Sequence, residues 1–292
     1  MTAGVDESMF GWSEWFLGAT DRKPGLEVLH LPPEQDSARD VPPLLFIHGA
    51  YTGAWCWHEH FLGWFARQGF DAYALSLRGH GNSQGAEVLH QASLRDYVDD
   101  VRRVVADMPA SPVLVGHSMG GMVIQKYLER YSAPATVLMA TVPPAGLGPS
   151  MTRLMASDPI LFSQIAMVQA GARDLVDTAN AGRAVFSDDL DPELRDVYGA
   201  RMQPESQRAL MDMTFTDLPR PWRMHLPPML VLGAARDALF SANETRRTAR
   251  AYGAEHRVYA RMAHAMMLEK GWVDVARGIR DWVQSQAYAL AA

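Results

Sequence analysis

Ser118 lies in the stretch "VGHSMGG", with Gly116 and Gly120 two residues to either side. A serine hydroxyl is a weak nucleophile at neutral pH, and needs a base to take its proton and an acid to orient that base. The pattern G-x-S-x-G suits a strained strand-to-helix turn that lifts a serine clear of a sheet edge. Small residues at both flanks let neighbouring backbone pass close by. A plain glycine turn is the bland reading. The surroundings favour chemistry, because "PVLV" runs in as a strand and "MVIQKYLE" runs out as a helix.

The base and the acid are expected on later loops at the same sheet edge. Asp237 lies in "GAARDALF", after the apolar run at 228–234, and His264 lies in "RMAHAMML", after the run at 257–263. The chain order Ser118, Asp237, His264 is one this arrangement uses. Asp99, Asp100 and Asp107 read instead as the charged face of a helix. His48, His80 and His117 read as loop-orienting hydrogen bonders, and Arg78 as an anchor of its "RGHG" loop.

These residues need a scaffold, and the chain alternates short apolar runs with helical patterns, the sign of an α/β fold with parallel strands. The runs lie at 43–49, 71–77, 112–118, 135–141, 228–234 and 257–263. "LEVLHL" at 26–31 reads as an early strand, with "WSEWFLG" at 12–18 as its partner. Ser93 and Asp96 form a capping box before a valine stripe at Val98, Val101, Val104 and Val105. A last helix is expected over about 267–287, with Val273, Ile279, Trp282 and Val283 on one side.

The alternation breaks from Pro143 to Leu226, where no strand-like run occurs and Pro149, Pro159, Pro192, Pro204, Pro219 and Pro221 mark segment ends. The expected division is therefore a first part of the core at 1–142, a helical cap insert at 143–226, and a second part of the core at 227–292. Methionines at 151, 155, 167, 202, 211 and 213, with Met119, Met122, Met262 and Met266, could line a soft pocket or fill helical cores.

With 292 residues, 48% hydrophobic and 21% charged, the chain has the composition of a globular enzyme rather than a disordered segment. A net charge of −6 gives no attraction to phosphate backbones, so no nucleic-acid partner is expected. Cys56 is the single cysteine, which excludes an intrachain disulfide and any cysteine-based metal site. The ten histidines lack ligand spacing, so no metal is expected either. "MTAGVDESMF" has no basic or apolar signal region, and no run approaches the roughly 20 residues of a membrane helix. A cytoplasmic protein with no membrane span is the expectation, with room for a homodimer.

Five stretches together, "FIHGAYTGAWCW", "LSLRGHGNS", "VGHSMGG", "GAARDALF" and "MAHAMMLEKGW", resemble the α/β-hydrolase family from about residue 25 to the end. The resemblance implies a mostly parallel central sheet flanked by helices, with a helical cap. It also implies that Ala50, after "HG", and Met119, after the serine, supply the oxyanion-hole N–H donors. The implied activity is cleavage of small to medium carboxylic esters by a Ser118–His264–Asp237 triad through an acyl-enzyme, with no cofactor. "GAWCW" at 53–57 is also similar to a subgroup of plant methylesterases and hydroxynitrile lyases. Those lyases carry a threonine and a lysine where this sequence has Gly49 and Ala265, so ester hydrolysis is the expectation. Carbon–carbon cleavage, or a hydrolase fold kept as a ligand receptor, are the alternatives. A serine at the turn points away from dehalogenases and epoxide hydrolases, which resemble this fold but place an aspartate there.

Overall fold

The computed structural model describes residues 25–34, 41–172, 176 and 182–291. Among the described residues, seven strands form one sheet in the order β1-β3-β2-β4-β5-β6-β7. They are β1 (Val28–Leu31), β2 (Leu44–Ile47), β3 (Ala72–Leu75), β4 (Val113–His117), β5 (Thr136–Met139), β6 (Met229–Ala234) and β7 (Glu255–Tyr259). β1 runs antiparallel to β3, with Val28 opposite Leu75, and every other neighbouring pair is parallel.

The unbroken apolar runs follow from burial on both faces of the sheet. Side chains alternate between two cores: Leu44, Phe46, Val113 and Val115 face one, Leu45, Ile47 and Leu114 the other. Helices α1 (Phe61–Arg67) and α9 (Trp272–Ala291) cover the first core through Phe61, Phe65, Ile279 and Trp282. The second is covered by α2 (Leu94–Asp107), α3 (Met119–Tyr127) and α8 (Ala242–Tyr252), through Tyr97, Val101, Ile124 and Tyr252. Helix α2 starts as expected, with Ser93 and Asp96 exchanging cap hydrogen bonds.

Between β5 and β6 the described residues form helices and no strand: α4 (Leu147–Ser157), α5 (Pro159–Gln169), α6 (Pro192–Ala200) and α7 (Gln207–Met211), then a π-helical turn at Asp212–Thr216. Pro159 and Pro192 open their helices at the first position, where a missing N–H costs nothing. Among the described residues, no helix is long and apolar enough to cross a membrane.

Three expectations need correction. The run at 257–263 overshoots β7, which ends at Tyr259. Beyond it the Met262 carbonyl leaves the ladder to accept the Arg236 N–H at 2.9 Å. Helix α9 begins at Trp272 rather than near 267, because tight turns occupy the intervening chain, with Met266 N–H bonded to the His264 carbonyl and Leu268 N–H to that of Ala265. Asp100 does not sit on a charged face: its side chain is fully buried, and Arg78 grips it at 2.7 Å while also reaching Asp96 at 2.9 Å. The strand expected at 12–18 lies outside the described residues.

Candidate active site

The loops after β2, β4, β6 and β7 all open at the carboxyl edge of the sheet, where open α/β sheets hold their ligands. β4 passes into α3 through one residue, Ser118, at φ 52° and ψ −115°. A non-glycine residue in that region stores of order 1–3 kcal/mol of strain, which persists only when its surroundings enforce it. Here they do. A Cβ on Gly120 would collide with the Ile47 carbonyl oxygen, and one on Gly116 would meet the Gly120 backbone at 2.6 Å. Only hydrogen at both places lets α3 pass this close to the ends of β2 and β4. Among the described residues Ser118 Oγ makes no hydrogen bond, and the residue lines a cavity.

Asp237, three residues beyond β6, is locked by its own turn. Its Oδ1 accepts the Leu239 N–H at 2.8 Å and the Phe240 N–H at 2.9 Å, while its Oδ2 accepts His264 Nδ1–H at 2.9 Å. His264 is therefore oriented with Nε2 left as the acceptor, and it lines the same cavity as Ser118. The two are tied through the neighbouring residue, because His117 Nε2–H donates to the His264 carbonyl at 3.0 Å and the two rings lie 4.6 Å apart. No Ser118–His264 hydrogen bond is formed.

The two expected oxyanion donors share this cavity wall. Among the described residues neither the Ala50 N–H nor the Met119 N–H is taken by a turn, a loop or a side chain. Met119 opens α3, where first-turn amides have no partner within the helix.

The cavity measures about 520 Å³ and is mostly apolar. Leu147, Met151, Ile165, Val168, Leu210 and Met213 line it from the β5–β6 segment, facing Met119, Leu239 and Phe240. The methionines divide by position. Met119, Met151, Met202 and Met213 line the cavity, Met122, Met262 and Met266 are core, and Met155, Met167 and Met211 are exposed. Met267 and Arg195 also reach the wall, and neither carries a sequence signal that finds it. Arg195 donates to the Ser187 carbonyl at 3.2 Å, whereas Arg261, the cation nearest His264 in sequence, is exposed and does not line the cavity.

His48 and His117 do hold loops, and both are neutral in the fold. His48 donates Nδ1–H to the Gly49 carbonyl at 2.7 Å and accepts the Leu77 N–H at 3.0 Å. Burial, with the charge of His80 nearby, drives its pKa down to about 3. Burial, and then the His264 ring, holds His117 well below the ordinary histidine value. An unfolded histidine titrates near pH 6.5, so below that pH the unfolded chain binds more protons than the fold and stability drops on acidification. Two such rings lose about 2.7 kcal/mol per pH unit. His80 works the other way: its pKa is raised in the fold, so it offsets part of this fall until the unfolded ring is itself charged, about one pH unit below 6.5. Urea midpoints measured at about pH 7 and about pH 5 are expected to show this fall. An unchanged midpoint would mean that both rings are charged in the folded protein.

A family model described as "Alpha/beta hydrolase family" matches residues 44–277. Monoacylglycerol lipase of Mycolicibacterium smegmatis is 26% identical over 257 residues, which cover 83% of this chain and 88% of that protein. The bifunctional esterase/perhydrolase DCH of Acinetobacter calcoaceticus is 32% identical over 132 residues, 44% of this chain and 46% of its own. Among solved structures, a monoglyceride lipase variant from Saccharomyces cerevisiae superposes with a TM-score of 0.70 at 15% identity, covering 90% of this chain and 92% of that one. The parallel sheet, the strained serine at its carboxyl edge and a family match over most of the chain agree: this protein belongs to the alpha/beta hydrolase family.

Proposed function

We propose that this protein is a serine esterase that cleaves small to medium carboxylic esters through an acyl-enzyme. The observation that carries this reading is the strained Ser118 on one cavity wall with an Asp237–His264 pair held at 2.9 Å. Ser118 Oγ attacks the ester carbonyl carbon while His264 Nε2 takes its proton. The carbonyl oxygen becomes an oxyanion facing the Ala50 and Met119 N–H groups, each worth roughly 3–4 kcal/mol by single-donor deletions. The tetrahedral intermediate collapses, its C–O bond to the alcohol breaks, and His264 returns the proton to the leaving alkoxide. Water then repeats the attack and frees the acid. No cofactor enters any step.

The segment at 143–226 acts in this reading as a cap whose inner face, through Met151, Ile165 and Met213, receives the apolar part of the ester. Carbon–carbon cleavage is disfavoured by Gly49, where a Cβ would stand 2.7 Å from His117 Nδ1 and 3.0 Å from Ser118 Cβ. A side-chain hydroxyl cannot be placed there without moving the turn. Ala265 likewise supplies no cation beside His264.

The test is a panel of p-nitrophenyl esters of short to medium acyl length, run beside mandelonitrile at neutral to mildly alkaline pH. Clear ester turnover and background cyanohydrin cleavage are expected. Ser118-dependent splitting of mandelonitrile, with every ester left intact, would reassign the chemistry.

A further inference from the structure

Ala50 cannot serve an oxyanion unless its N–H points into the cavity and stays there. Its peptide is fixed from behind: the Gly49 carbonyl accepts His48 Nδ1–H at 2.7 Å and Thr52 Oγ1–H at 3.0 Å. A trans peptide sets the Ala50 N–H opposite that carbonyl. The next residue is less comfortable. Tyr51 has φ 65°, a left-handed conformation that a bulky side chain adopts only under constraint.

The constraint comes from a strap in the β5–β6 segment, 152 and more residues away in sequence. The Gln203 N–H donates to the Tyr51 carbonyl at 2.9 Å, and Glu205 Oε2 accepts the Tyr51 N–H at 3.4 Å. Both residues are anchored in turn to the "RGHG" loop. The Gln203 amide bonds the Gly79 carbonyl at 2.9 Å and the Gly81 N–H at 2.8 Å. Glu205, fully desolvated, pairs with His80 Nε2 at 3.1 Å and accepts the Tyr97 hydroxyl at 2.7 Å and the Ser206 N–H at 2.7 Å.

His80 presents both ring nitrogens to oxygen acceptors, Nε2 to Glu205 and Nδ1 to the Arg78 carbonyl at 3.0 Å. Both nitrogens carry protons. Burial opposes that charge, but the carboxylate and the carbonyl outweigh it and the His80 pKa is raised. Burial alone would raise Glu205, yet His80, Tyr97 and the Ser206 amide hold it lowered. A buried ion pair of this kind contributes little net stability for the desolvation it requires. Its value lies in fixing geometry.

We infer that Glu205 and Gln203, backed by the imidazolium of His80, are positioning residues that hold the Ala50–Tyr51 turn in the shape that aims the Ala50 N–H at an oxyanion. The inference rests on the esterase reading and adds to it a dependence of the chemical step on the cap. An oxyanion exists only in the transition state and the intermediate, so a loosened donor lowers kcat and leaves KM near its original value. Misplacement by about 1 Å can cost up to about 100-fold.

The test uses Glu205→Gln and Gln203→Ala in the full chain, with fluorophosphonate titration counting reactive serines and rates expressed per titrated serine. Loss of folded protein then cancels from the comparison. For both variants kcat is expected to fall about 10- to 100-fold, with KM moving less than about threefold. Inhibition by a phenylboronic acid, which forms a tetrahedral adduct, should weaken in parallel with kcat. Should Glu205→Gln yield no folded protein, Gln203→Ala, whose side chain is half-buried, decides the matter. Unchanged kcat per titrated serine in a folded variant overturns the inference and spares the esterase. A wild-type protein that hydrolyses no ester overturns both.

Discussion

Ser118→Ala is expected to lower ester turnover on the order of 10⁶-fold, the scale at which serine proteases lose activity without their nucleophile. The melting temperature should stay near that of the parent. The Oγ makes no hydrogen bond among the described residues, and the alanine Cβ occupies the position of the serine Cβ at the same φ of 52°. The strain is therefore common to both proteins and cancels from the comparison. Fluorophosphonate labelling should vanish with activity. A Ser118→Ala protein that still turns over esters without being labelled would rule out the covalent mechanism.

Asp237→Asn should cost on the order of 10⁴-fold in kcat, through a proton rather than a contact. The two N–H groups on Oδ1, from Leu239 and Phe240, demand an oxygen at that position. An asparagine must keep its carbonyl oxygen there, which turns its NH₂ toward His264 Nδ1. Two donors cannot face each other, so Nδ1 gives up its proton and Nε2 takes one. A histidine protonated on Nε2 cannot receive the Ser118 proton. Turnover of the folded variant within tenfold of the parent would assign the orienting acid elsewhere.

Much of this was legible in the chain, for reasons that differ by element. The runs at 43–49, 112–118, 135–141 and 228–234 each contain a strand because strands buried on both faces must be apolar throughout. The elbow was legible because its glycines answer a steric demand written within five residues. Boundaries set by distant partners were not. Nothing local in "RVYARMA" tells that the Met262 carbonyl will bond the Arg236 N–H instead of extending β7. Asp100 looked solvent-facing because its partner, Arg78, precedes it by 22 residues. The Glu205 strap was the least legible, since its bond to His80 spans 125 residues and its contact with Tyr51 spans 154. "QPES" has the composition of an ordinary loop, and only the folded chain brings it against the turn that carries Ala50.

The sheet order carries a consequence for synthesis. Ser118 belongs to the centre of the sheet, while Asp237 and His264 follow β6 and β7, which extend one edge and are made after the other described strands. A ribosome adding roughly 5–20 residues per second needs roughly 7–30 s to travel from the serine to the histidine. In the proposed mechanism the emerging chain carries its hydroxyl through that interval with no base. The β5–β6 helices, with the strap that grips the Tyr51 turn, are made within the same window. The proposed mechanism thus expects no acyl transfer from a half-made chain, with turnover during cell-free translation beginning only once the far edge of the sheet is complete.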